Sequence, residues 1–128
     1  MRILITGSRE YTDHAHAVAM LNYALQWLRD MYQRPTLMPQ AVTVVHGDAR
    51  GADRTLAHAA RELGFRVEAH PAQWDTYGKR AGYMRNNDMV RLGANCCLAF
   101  PLTGSKGTWH CMNQAKRAGI PVLQCTML

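Results

Sequence analysis

No stretch of the sequence approaches the roughly 18 consecutive apolar residues that crossing a bilayer requires, and the apolar start, Ile3 to Ile5, is far shorter than the core of a signal peptide. The chain is therefore expected in the cytoplasm, with no membrane partner. No C-x-x-C spacing links the four cysteines, Cys96, Cys97, Cys111 and Cys125. The adjacent pair sits in an apolar run, where neighbouring side chains point to opposite faces. Reduced core thiols are expected. The histidines are equally unpatterned. His14 and His16 are two apart and share no helix face, and His46, His58, His70 and His110 have no ligand spacing, so no metal site and no cofactor are expected. His46 at a strand end and His110 after a Gly-rich loop are within reach of a site, although structural roles are commoner for such residues.

Acidic residues are scarce: nine Asp plus Glu stand against 15 Lys plus Arg, giving a net charge of +6 that favours anionic partners. A composition of 48% hydrophobic and 19% charged residues is that of a folding chain, far from the disordered corner. A length of 128 residues suits one core better than two, and no repeat, low-complexity tract or long linker divides it. One domain over residues 1–128 is expected.

Along the chain, strands and helices alternate. Arg2 to Thr6 reads as a strand ended by Gly7-Ser8-Arg9, and Asp13 to about Tyr32 as an amphipathic helix with Val18, Leu21, Leu25 and Leu28 on one stripe. Ala41 to His46 is a second strand, Ala52 to Leu63 a helix closed by Gly64, and Phe65 to His70 a third strand. Pro71 to Gly82 reads as a polar, aromatic loop, followed by a helix from Tyr83 to Leu92. Ala94 to Phe100 is a strand apolar on both faces, Trp109 to Ala118 a last helix, and Pro121 to Cys125 a fifth strand. Five strands interleaved with four helices predict an α/β, three-layer Rossmann-like fold with a five-stranded parallel sheet in the order 3-2-1-4-5.

In such sheets ligands bind beyond the carboxyl ends of the strands, where strand order reverses. That edge carries the chemistry-bearing loops, whereas the opposite edge shows plain helix stops at Gly64, Gly93 and Gly119. The loops after strands one and four, Gly7-Ser8-Arg9 and Thr103-Gly104-Ser105-Lys106-Gly107-Thr108, should face each other across the reversal. Glycines admit a close oxyanion, amides at a helix start point at it, hydroxyls add donors, and Arg9 and Lys106 add positive charge. The plainer reading is that the hydroxyls are helix caps, and the G-x-x-x-x-G-K-[ST] arrangement of a Walker loop is missing. The loop after strand two holds Gly47, Asp48, Arg50, Gly51 and Asp53. Its carboxylates either accept ribose hydroxyls or serve a local turn and the helix dipole. In the third loop Trp74, Asp75, Tyr77, Lys79, Arg80, Tyr83, Arg85 and Asn86 suit a base platform with phosphate contacts, or single-stranded nucleic acid.

Ile5-Thr6-Gly7-Ser8-Arg9, His46-Gly47-Asp48-Ala49-Arg50-Gly51-Ala52-Asp53, Lys79-Arg80-Ala81-Gly82 with Arg85-Asn86, and Gly104-Ser105-Lys106-Gly107-Thr108 together resemble the SLOG superfamily. Within it they look like the small YspA or YpsA-related proteins seen in bacteria and phages. The resemblance runs over nearly the whole chain, with Ala-Arg-Gly-Ala-Asp its most specific piece. It implies a Rossmann-like fold that binds a nucleotide or a nucleotide-derived signal such as an ADP-ribose-like molecule, and relatives that commonly pair into homo-oligomers. LOG-type phosphoribohydrolases, similar in fold, carry P-G-G-x-G-T-x-x-E with a catalytic Glu. Here two extra residues separate Pro101 from Gly104, Ser105 replaces a Gly, and Cys111 stands at the Glu position. Arg85 matches the first member of the Arg-Lys pair of that motif.

A thiol cannot stabilise a cationic sugar electrostatically, so the resemblance carries phosphate binding further than catalysis. Asp48 and Asp75, with Asp53 beside them, are the carboxylates left for a catalytic role, and nothing in the sequence selects one. The leading expectation is a protein that binds a small nucleotide-derived ligand, either as a sensor or, if phage-encoded, to sequester a nucleotide immune signal. The alternatives are an N-glycosidic bond hydrolase acting on nucleoside 5′-monophosphates and, secondarily, single-stranded nucleic-acid binding.

Overall fold

Ile3 and Ile5 point to one side of the first strand and Leu4 to the other, yet all three are covered, because β1 (Arg2–Gly7) lies at the centre of a sheet with helices on both faces. The computed structural model describes residues 1–125. It contains β2 (Thr43–His46), β3 (Arg66–Ala69), β4 (Cys96–Phe100) and β5 (Val122–Gln124), all parallel, in the order β3-β2-β1-β4-β5. This is the expected Rossmann-like arrangement.

On one face lie α1 (His14–Met31) and α2 (Ala52–Leu63), whose Leu21, Leu28, Leu56 and Ala60 bury Ile3, Ile5, Val44 and Leu98. On the other, α4 (Ala81–Leu92) and α5 (Lys106–Arg117) bury Leu4 and Val45 under Met89, Cys111 and Ala115. Asp13 starts α1 by accepting the His16 N–H at 3.0 Å. Cys96 and Cys97 contribute to opposite faces, as adjacent residues of a strand must. All four cysteines are free and buried, and burial pushes the Cys96 thiol up to about 12 and those of Cys111 and Cys125 to about 11.

At the amino edge of the sheet, Arg2 holds Glu68 through two hydrogen bonds of 3.2 and 2.7 Å and reaches the Gly93 carbonyl at 3.0 Å. These are bracing contacts, and with help from His70 they hold the Glu68 carboxyl down to about 2. Among the described residues no helix is long and apolar enough to cross a membrane.

Two boundaries differ from the sequence expectation at the opposite edge. Residues 74–80, expected as loop, form the short helix α3 (Trp74–Tyr77) and a 3-10 turn (Gly78–Arg80), and α4 begins at Ala81 instead of Tyr83. The Trp74 ring lies over Gly82, where even a Cβ would come within 3.1 Å of it, so aromatic packing organises a polar stretch. The last helix starts at Lys106 instead of Trp109. Gly107 weakens a helix interior but costs little in a first turn, whose amides lack intrahelical partners in any case.

Candidate functional site

Gly7 pairs in register with Phe100, and the Ser8 N–H then donates to the Phe100 carbonyl at 2.9 Å. The loops leaving β1 and β4 are thus tied at their first residues, at the point where strand order reverses. Between them opens a cleft of about 480 Å³. Ile5 and Thr6 line it below; Gly7, Ser8, Arg9 and Glu10 form one side, and Thr103, Gly104, Ser105, Lys106, Gly107 and Thr108 another. Asp53 and Ala49 enter from the α2 end, and Trp74, Lys79, Gly82, Tyr83, Arg85, Asn86 and Met89 close the remaining wall. Four basic side chains, Arg9, Lys79, Arg85 and Lys106, meet two acidic ones, Glu10 and Asp53, which suits an anionic occupant with a polar, uncharged part.

The two loops do not contribute alike. In the β1 loop the Ser8 amide is spent on Phe100, and the Ser8 hydroxyl accepts the Glu10 N–H at 3.0 Å. This loop does not open a helix either, since α1 begins only at His14. The two sides are therefore unequal: in the β1 loop the Ser8 and Glu10 amides are spent internally, and among the described residues the Arg9 amide is left without a hydrogen-bond partner beside a glycine edge. In the β4 loop Ser105 occupies the N-cap position without capping; its hydroxyl accepts the Leu102 N–H at 3.1 Å. Among the described residues the first-turn amides of Gly107 and Thr108 have no hydrogen-bond partner. The amino end of a 12-residue helix therefore opens into the cleft uncapped, beside Lys106 and Arg9.

A hydrogen-bonded chain connects these walls. The Asp53 Oδ2 accepts the N–H groups of Gly47 at 3.1 Å and Ala49 at 3.2 Å. The Arg85 guanidinium donates from Nη1 to the Gly47 carbonyl and from Nε to Asn86 Oδ1 at 2.9 Å, and Asn86 Nδ2 donates to the Gly107 carbonyl at 3.3 Å. Burial raises the Asp53 carboxyl to about 6, against the opposing pull of the Ala49 amide, the Arg85 charge and the Gly47 amide.

Residues 1–77 match the model of the YAcAr family, the YspA, cpYpsA-related SLOG family. The chain belongs to this family. It is also 46% identical over 129 residues to the "Gene 61 protein" of Mycobacterium phage D29, an alignment covering 95% of this chain and 94% of the phage protein. No solved structure matches. The family match spans the β1 and β2 loops; the α5 end of the cleft lies beyond it, so the SLOG assignment and the cleft geometry are separate observations.

Seven of the loop residues singled out in this SLOG sequence stand outside the cleft lining, the exposed Tyr77 and Arg80 among them. Asp75 is exposed in the first turn of α3. Asp48 gives its N–H to His46 Nδ1 at 3.0 Å and pairs with Arg54 at 3.4 Å on the surface, while Arg50 pairs with Glu10 at 3.1 Å. Gly47 is the seat of Arg85, whose guanidinium occupies the space a Cβ would need. Gly51 has φ +81°, and a Cβ there would overlap the backbone of Ser8 and Arg9. In the Ala-Arg-Gly-Ala-Asp segment, then, Ala49 and Asp53 line the cleft, and Gly51 lets the chain pass close against the Ser8–Arg9 backbone.

Cys111 does not line the cleft; it is buried beside Thr6 with its thiol protonated. His46 and His110 are also outside the lining. His46 is buried, and burial lowers its pKa; His110 stacks on Tyr83 with ring centroids 4.3 Å apart. Sequence reading placed Glu10 in the β1 loop without giving it a role, and it missed Met89. Glu10 directly follows Gly-Ser-Arg, and its place in the cleft was findable from that adjacency, whereas Met89 carries no signal beyond its place on an apolar helix face.

Proposed function

We propose that the protein binds a nucleotide-derived ligand of the ADP-ribose or nucleoside-phosphate class in this cleft. The observation that carries the reading is the uncapped amino end of α5, set against Arg9 and Lys106. Phosphate oxygens accept from the Gly107 and Thr108 amides and from the two cations. Asp53 Oδ1 takes no hydrogen bond among the described residues and is the acceptor for ribose hydroxyls, while Trp74 and Tyr83 offer faces on which a base stacks. The phage origin of the 46% identical relative supports sequestration of a nucleotide signal over sensing.

Calorimetry with ADP-ribose, its cyclised forms, AMP and NAD is the test. At least one should bind with micromolar or tighter Kd, and Arg9→Ala should weaken it by at least about tenfold, the loss of one charge-assisted contact. Silence across the panel overturns the reading.

A hydrolytic reading rests on one observation, the Asp53 carboxylate in the cleft lining. An N-glycosidase uses such a group to stabilise a developing oxocarbenium ion. Free base released from AMP, dCMP or NAD, and lost in Asp53→Asn, would establish it; binding without release removes it.

A further inference from the structure

We propose that His14, His58 and Glu62 form a surface site for a divalent transition-metal ion of the zinc class, clamping the first turn of α1 to the last turns of α2. Local spacing supplies only its His58–Glu62 half. His14 is 44 residues from His58 in sequence, and only the packing of α1 on α2 brings them together. His58 and Glu62 are one turn apart on α2 and so project from the same face.

The donor atoms converge. Glu62 Oε2 lies 3.2 Å from His14 Nε2 and Glu62 Oε1 2.7 Å from His58 Nε2, and one donor atom from each of the three residues lies within 4.8 Å of the others. A tetrahedral zinc ion with bonds of about 2.1 Å holds its ligand atoms about 3.4 Å apart, inside that spread. The imidazole rings are tilted by 56° with centroids 5.3 Å apart, so they meet at an angle instead of stacking. Two imidazoles and one carboxylate form a borderline N/O set that suits zinc and its neighbours, with a fourth position left to water.

Ion pairing alone is a poorer account of the cluster. It requires imidazolium, and two imidazolium rings side by side over one carboxylate repel each other. Neutral rings present lone pairs instead, and the carbonyls ending α2 add negative partial charge near a bound cation. All three side chains are exposed, so an ion enters without any opening of the fold. The four thiols, the other strong zinc donors, are buried and do not compete. The clamp adds to the hold α2 already has on the segment leading into α1, where the Ala52 N–H donates to the Ser8 carbonyl at 3.0 Å and the Thr55 hydroxyl to the Tyr11 carbonyl at 3.3 Å.

The test uses tag-free, chelator-stripped full-length protein at pH 8, titrated with Zn²⁺ by calorimetry and followed by thermal unfolding. One ion per chain should bind with micromolar or tighter Kd and raise Tm by several degrees. His58→Ala and Glu62→Ala should each weaken uptake by at least about tenfold and remove the Tm rise, with circular dichroism unchanged because both side chains are exposed. His70→Ala, which removes a histidine paired with Glu68 alone at 2.7 Å, should bind zinc as the wild type does. Wild-type protein that takes up no stoichiometric zinc, or uptake unaltered in both His58→Ala and Glu62→Ala, overturns the proposal.

Discussion

Asn86 Nδ2 donates to the carbonyl oxygen of Gly107 across 3.3 Å, carrying a contact from the middle of α4 to the first turn of α5. The same side chain accepts from Arg85 Nε at 2.9 Å, so one buried amide sets both the cation on the β2 loop and the helix end that faces the cleft. Replacing it by alanine leaves the Arg85 Nε–H and the Gly107 carbonyl short of a partner. Asn86→Ala should lower stability by about 1–3 kcal/mol, as expected for breaking a buried hydrogen-bond pair. It should also weaken binding of a ligand of the proposed nucleotide class by more than about tenfold. Thermal unfolding and calorimetry on the same sample separate the two effects; unchanged affinity at reduced stability would restrict Asn86 to a scaffolding role.

Gly51 and Gly104 share φ +81° but differ in their surroundings. A methyl group at Gly51 meets the Ser8 and Arg9 backbone, whereas at Gly104 it meets open space. Gly51→Ala should therefore cost about 2–4 kcal/mol, conformational strain and overlap together, and Gly104→Ala about 1 kcal/mol from strain alone. Denaturant unfolding of the two variants checks the ordering, and equal costs would mean that the Ser8–Arg9 segment moves away freely.

Asp53 links stability to pH. Its carboxyl sits at about 6 in the folded chain against 3.8 as the ordinary value, so between those values the folded state binds the proton more readily than the unfolded one. Stability from this group consequently rises as pH falls through 6 and is fully gained below the unfolded value. Asp53→Asn keeps an oxygen acceptor for the Gly47 and Ala49 amides but does not titrate. The stability of wild type minus that of Asp53→Asn should increase on going from about pH 7 to about pH 4.5. Comparing the two proteins cancels the contributions of the histidines, and a difference that stays flat or shrinks contradicts the assignment.

The sheet was legible because β1 and β4 are short apolar runs cut off by Gly7 and Pro101, and because parallel crossovers of one hand leave few orders open. The meeting of the β1 and β4 loops followed from that order. The role of each loop did not. Whether the Ser8 amide is free depends on how far the β1–β4 ladder continues, and the Ser8–Phe100 hydrogen bond extends it by one step. Gly104 and Gly107 look like loop residues in sequence, which hid a helix start at Lys106. Residues 74–80 look polar, and their helical turns depend on Trp74 reaching Gly82, a contact outside local propensity. In the His14, His58 and Glu62 cluster the His58–Glu62 pair is one helical turn apart, and only His14 joins it through tertiary packing.

The strand order has a consequence for synthesis. β1 pairs with β2 on one flank and with β4 on the other, and β4 begins only at Cys96. While the chain is being translated, β1, β2 and β3 with their two long helices emerge first, and one edge of β1 waits with its amides and carbonyls unpaired until the last third leaves the ribosome. The cleft cannot exist before that moment. A ligand of the proposed class would thus meet only the finished chain, and the waiting edge of β1 is where a chaperone or a stray strand would first take hold.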